Sequence, residues 1–105
     1  MSDNNPSKLQ FLVIIAEQKK KDKFLKLIGE YGAKGINVVY GKGSMSPRAI
    51  ASAFGFEAEQ HKVLITCLMK REVAKEIIGV LYNDYTFSKP NTGIAFTIPV
   101  EGLAF

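Results

Sequence analysis

Cysteine is nearly absent from this chain: Cys67 is the only one in 105 residues. A lone thiol closes no intrachain disulfide, so packing has to hold the fold, and a reducing compartment is the default. Long apolar runs are absent too; none approaches the ~20 residues that cross a bilayer as a helix. The stretch Met1–Lys8 is polar and has no apolar segment of the signal-peptide kind. A cytoplasmic protein is expected, with residues 1–8 as a flexible tail and 9–105 as one domain. Histidine is equally scarce. His61 stands alone at the start of a strand, forms no metal-ligand spacing with Cys67, and reads as a surface or capping residue. Glu57 and Glu59 have no base or nucleophile near them, and no Ser-His-Asp or Cys-His arrangement is evident. An enzyme is not expected.

Acidic charge runs short of basic charge: 14 Lys and Arg face 10 Asp and Glu, for a net charge of +4. This mild excess suits a small anion or weak steering toward acidic partners. It falls short of the basic stripe of a nucleic-acid binder, and neither nucleic acid nor membrane insertion is expected. Lys19, Lys20 and Lys21 read as a solvated run rather than a phosphate clamp. What the chain does have is apolar mass. At 47% hydrophobic residues, a chain of this length can bury roughly two-thirds of its unfolded surface.

The apolar residues fall into six main elements. LQFLVIIA, Leu9 to Ala16, is rich in β-branched residues and predicts a strand. Asp22 can cap a helix to about Tyr31, with Phe24, Leu27, Ile28 and Tyr31 on one face and Gly32 and Gly35 ending it. Ile36 to Tyr40 is a second strand. Ser46 and Pro47 look like the cap and first position of a short helix through Ile50 and Phe54, closed by Gly55. Lys62 to Met69 is the third strand; Val73, Ile77, Val80 and Leu81 mark a long helix; Gly93 opens the last strand, Ile94 to Val100.

This order predicts an α+β, ferredoxin-like βαββαβ sandwich: a four-stranded antiparallel sheet with both long helices on one face. Right-handed crossovers place the first and third strands in the centre, and Pro99, without a ladder donor, suits an edge. Both central strands are apolar on both sides, whereas the helices cover one. An exposed face carrying Leu12, Ile14, Leu64 and Leu68, or the opposite set, would be a patch of several hundred Å² that monomers rarely tolerate. A homo-oligomer follows, with sites built at subunit borders.

Three stretches resemble the P-II nitrogen-regulatory protein family. They are Gly32 to Gly43 (with NVVYGKG), the third strand KVLITCLM, and above all NTGIAFTIPVEG near the C-terminus. The likeness covers most of Leu9 to Leu103 and is greatest to the shorter P-II-like members. It implies a homotrimer that binds an adenine nucleotide (ADP, AMP or ATP) or a similar small anion between subunits. It also implies regulation of a partner such as a membrane transporter or a metabolic enzyme. Transferred position by position, the resemblance nominates Asn37, Gly41, Lys42, Gly43, Ser44, Lys89, Asn91, Thr92 and Gly93 for the ligand. The match is uneven. Met45 stands where a second glycine is usual, Asn91 and Thr92 replace Gly-Asp, and Ile94 stands where the family has a phosphate-binding lysine. The basic C-terminal loop of larger members has no counterpart before Phe105. Charge-assisted contacts are the strong ones, so their loss disfavours a triphosphate and favours ADP, AMP or another small anion held by backbone donors.

Bland readings stand beside these. GKG is a plain turn or part of a cleft; it is no P-loop, since Ile36 holds the place of the first glycine. Cys67 alternates with apolar neighbours and reads as core. Ile50, Phe54 and Phe56 make an apolar face that either packs on the domain, the simpler arrangement, or with Arg48 docks a partner. The alternative assignment is a CutA-like trimer with a metal-binding or structural role, against which the shortage of His, Cys and clustered carboxylates counts. RNA binding would need aromatics on the central strands, where Phe11 stands alone.

Overall fold

The computed structural model describes residues 8–40, 47–53, 55, 61–89 and 92–101, with the backbone alone at 48, 49 and 51. Four strands, β1 (Leu9–Glu17), β2 (Lys34–Val39), β3 (Lys62–Lys70) and β4 (Ile94–Pro99), form one antiparallel sheet in the order β2-β3-β1-β4. Three α-helices accompany them: α1 (Lys21–Glu30), α2 (Pro47–Ala53) and α3 (Arg71–Asp84). This is the expected ferredoxin-like architecture, with β1 and β3 central and Pro99 on an edge strand.

Period two in the strands and 3.6 in the helices decide which residues meet. Leu12, Ile14 and Ala16 of β1 pair with Cys67, Ile65 and Val63 of β3, and these six side chains are fully buried beneath Phe24, Leu27 and Ile28 of α1 and Ala74, Ile77 and Leu81 of α3. Each such Leu or Ile contributes ~1.5–3 kcal/mol by leaving water.

The register corrects the expected division of the two faces. Leu12 and Ile14 lie under the helices, whereas Leu64 and Leu68 pair with Ile15 and Phe11 and point the other way. Pairing, which a strand's own alternation cannot supply, decides which sides coincide. On the open face Val13, Ile15 and Leu64 form a second cluster, joined by Val39, Ile50, Ile94 and Phe96. Ile50 brings α2 onto this face. Beyond its reach Phe11 and Ile98 are 41% and 48% exposed.

Local boundaries also shift. Asp22 is not the cap of α1: the helix begins at Lys21, its cap position is Lys20 with no side-chain bond, and Asp22 lies within the first turn. An acidic group there still complements the helix dipole. Gly32, at φ 76°, closes α1 as expected. Gly35 instead falls inside β2, which starts at Lys34 rather than Ile36, and the pairing with β3 is irregular between Lys34 and Asn37. A glycine at φ 57° allows that irregularity. Pro47 begins α2 as predicted. Gly55, at φ 77°, follows it and donates its N–H to the Ser52 carbonyl at 2.9 Å. Ser46 and most of the expected 1–8 tail lie outside the described residues.

Candidate functional site

Asn37 lies on edge strand β2, paired with Thr66; Thr66 pairs with Val13, and Val13 with Phe96 of β4. The next row on the same face is Val39, Leu64, Ile15 and Ile94. Tyr40 and Gly93 adjoin this row at its two edges, so both lie at one end of the sheet. Three inter-strand spacings separate β2 from β4, a span of roughly 14 Å. Asn37 is exposed and donates its side-chain amide to the Gly35 carbonyl at 3.1 Å.

The turn between α3 and β4 is tightly made. Phe87 donates its N–H to the Leu81 carbonyl at 3.0 Å, and Lys89 to the Thr86 carbonyl at 2.9 Å. The Thr92 hydroxyl sits 2.6 Å from the Thr86 carbonyl oxygen and 3.1 Å from that of Lys89, sharing its one proton between them. Thr86 adopts φ 63°, a left-handed conformation that costs a β-branched residue on the order of 1 kcal/mol. Its hydroxyl donates to the Tyr85 carbonyl at 2.6 Å. The ring of Phe87 packs edge-on to Phe24, with centroids 5.5 Å apart, and lies against Gly93. A shallow apolar cleft of about 250 Å³ opens beside it, lined by Ile78, Tyr82, Ile94 and Ala95 among others. A smaller one of about 70 Å³ borders Lys20, Lys23, Thr86 and Thr92.

At the opposite edge Lys21 reaches the start of the segment that follows β2. Its ammonium donates to the Tyr40 hydroxyl at 2.7 Å and is 3.7 Å from Asp22. The same ammonium is 5.4 Å from the Tyr40 ring centroid, so it meets the hydroxyl end of the ring and not its face. The Tyr40 hydroxyl, with Asp22 secondary, holds the Lys21 ammonium above its ordinary pKa. One lysine of the basic run thus has a structural role that composition did not show.

Of the nominated ligand residues, Asn37, Lys89, Thr92 and Gly93 are described, and the last three gather in one turn. Gly41, Lys42, Gly43, Ser44 and Asn91 lie outside the described residues, as do Phe54, Phe56 and the side chain of Arg48. Ile50 packs on the open-face cluster, which favours the domain-packing reading at that position. Residues that sequence reasoning passed over are Phe87, Thr86 and the Lys21–Tyr40 pair. No periodicity marks them, because each acts through a turn or a contact between distant segments. His61 is exposed, and its carbonyl accepts from the Gln18 N–H at 2.9 Å. Cys67 is buried, and burial pushes its thiol up to about 11. Among the described residues no group of three His, Cys, Asp or Glu side chains could hold a metal ion, and no helix is long and apolar enough to cross a membrane.

The strand order and the helices that cover one face define a ferredoxin-like α+β domain. The sequence profile of Nitrogen regulatory protein P-II matches residues 9–104, and the chain belongs to the P-II family. Its members are regulators, not enzymes. No curated protein matches it in sequence. Among solved structures, a PII-like signalling protein of Thermus thermophilus superimposes with a TM-score of 0.64 at 22% identity, over 88% of this chain and 85% of that one. The apo form of CPII, a nitrogen regulatory PII-like protein of Thiomonas intermedia, gives 0.65 at 18% identity, over 88% of each chain. CPII bound to ADP and bicarbonate gives 0.60 at 21% identity, over 88% and 85%. At these identities the likeness is one of fold.

Proposed function

We propose that this P-II-type regulator is a homotrimer that binds ADP, AMP or a related small anion between subunits and signals its occupancy to a partner protein, such as a transporter or enzyme. The observation that carries this reading is the placement of Asn37 and the Gly93 turn at opposite edges of one sheet end. Roughly 14 Å of sheet separates β2 from β4, so one ligand meets both only when β2 of one copy adjoins β4 of the next. The open apolar face supplies the reason for copies to associate, since Phe11 and Ile98 remain 41% and 48% exposed in the single chain.

The chemistry of the turn favours few charges. Lys89 is the one cation of the turn itself among the described residues, with Lys20 and Lys23 at the small cleft beside it, and Ile94 contributes none. A monophosphate or diphosphate matches that supply better than a triphosphate, because each phosphate charge left without a partner carries a desolvation cost. The complexes of CPII with ADP, AMP and bicarbonate make nucleotide and bicarbonate the natural first ligands to try.

Titration calorimetry against AMP, ADP, ATP and bicarbonate, with sedimentation on the same sample, tests the proposal. The expected result is a trimer that binds ADP or AMP at least tenfold more tightly than ATP. A well-folded lone chain, or heat from none of the adenine nucleotides, overturns it.

A further inference from the structure

Gly93 carries no left-handed φ, so its backbone conformation alone would accept alanine. Space is what forbids it. A Cβ built at 93 would lie 2.7 Å from Cε2 of Phe87 and closer still to Cζ and Cε1 of the same ring. Phe87 therefore fills the volume that a side chain at 93 would occupy. Its ring is braced from behind by Phe24 at 5.5 Å, edge to face. The backbone of the same residue is tied to the last turn of α3 through the Leu81 carbonyl. One residue thus joins the end of α3, the core under α1 and the start of β4.

We propose that Phe87 is a positioning residue that holds the turn before β4 in its ligand-ready form by seating its ring on Gly93. This rests on the reading of that turn as part of the nucleotide site. Several polar bonds join residues of the turn to one another: Thr92 to Thr86 and Lys89, and Lys89 to Thr86. They tie the turn to itself; the Phe87 N–H on the Leu81 carbonyl ties it to α3, and the rings of Tyr85 and Phe87 against Phe24 tie it to α1. Without the ring, the turn keeps its internal bonds and its bond to Leu81 and loses the seat that fixes Gly93.

The test is a double-mutant cycle of Gly93→Ala, Phe87→Ala and the pair, on the assembled protein. It is read by amide hydrogen exchange in the free state and by ADP and AMP affinity. Each single variant is expected to speed exchange of the Phe87 and Lys89 amides about tenfold and to weaken nucleotide binding about tenfold. The ladder amides of Ile14 and Ile65 should exchange as in the parent. The pair should be no worse than Phe87→Ala, because the clash created by Gly93→Ala has nothing left to strike. Phe87→Leu, which keeps apolar bulk beside Gly93, should restore part of the affinity. Single-variant losses that add in the pair overturn the proposal. So does unchanged exchange at Phe87 and Lys89, and so does faster exchange with unaltered affinity. If the parent binds no adenine nucleotide, the functional reading fails, while the exchange arm still decides whether Phe87 fixes the turn.

Discussion

The two faces of the sheet are made from the same strands and meet opposite fates. On the helix side Leu12, Ile14, Ala16, Val63, Ile65 and Cys67 are all wholly buried within one chain. On the other side Ile15 and Leu64 are buried as well, beside Ile50 of α2, yet Phe11 and Ile98 stay 41% and 48% exposed. The first face has two long amphipathic helices to cover it. Among the described residues the second has one short helix, too small to span four strands. An apolar strand face is buried by whatever the topology lays on it, and the elements among the described residues leave Phe11 and Ile98 partly open.

The sharpest way to break this contrast is to remove volume from each side in turn. Ile65→Ala empties a fully buried site under α1 and α3 and should cost ~3–4 kcal/mol, within the range for buried Ile→Ala. Ile98→Ala on the open face should cost under ~1 kcal/mol in the dissociated chain. Urea unfolding measures both, and equal losses would mean that the two faces do not differ as described.

Charge on the open face should act on association rather than folding. Phe11→Glu with Ile98→Glu places like charges on paired strands at directly opposed positions. The expected outcome is a folded monomer by sedimentation, with far-ultraviolet dichroism unchanged and stability within roughly 1 kcal/mol of the dissociated parent. A trimer that survives this substitution would remove the open face from the interface.

A pH-dependent effect sharpens the helix side. Cys67 is raised by burial to about 11 in the folded protein, against about 8.5 in an unfolded chain. Below about pH 8 both states keep the proton and stability is independent of this group. As pH rises from about 8.5 toward 11 the unfolded chain loses the proton first, so stability falls. The urea midpoint of the parent should therefore drop between about pH 8 and 10.5, and that of Cys67→Ala should drop less. Identical slopes would show that Cys67 is not sealed.

Much of the architecture was legible in the order of residues, because the signals were periodic. The alternation in LQFLVIIA and KVLITCLM and the stripe Phe24, Leu27, Ile28 are local, repeated and energetically large. Errors gathered where the deciding contact is remote or single. Which faces of β1 and β3 coincide depends on register, and so Leu64 went to the wrong side of Leu12. Asp22 reads as a cap, yet the helix starts two residues earlier than such a cap implies, at Lys21, once the 3₁₀ turn at Gln18–Lys20 feeds into it. Gly93 reads as a glycine that lets a ligand approach, while its neighbour in space is the Phe87 ring.

By itself the sequence determined the element order, the sheet's central pair and the excess of apolar surface, since hydrophobic burial is set by composition and period. Only the tertiary structure decided which apolar set stays open, that Ile50 reaches it, and that a side chain at position 93 would strike the Phe87 ring. Those outcomes depend on pairs of residues far apart in the chain, and excluded volume between such pairs exists only once the chain has closed on itself.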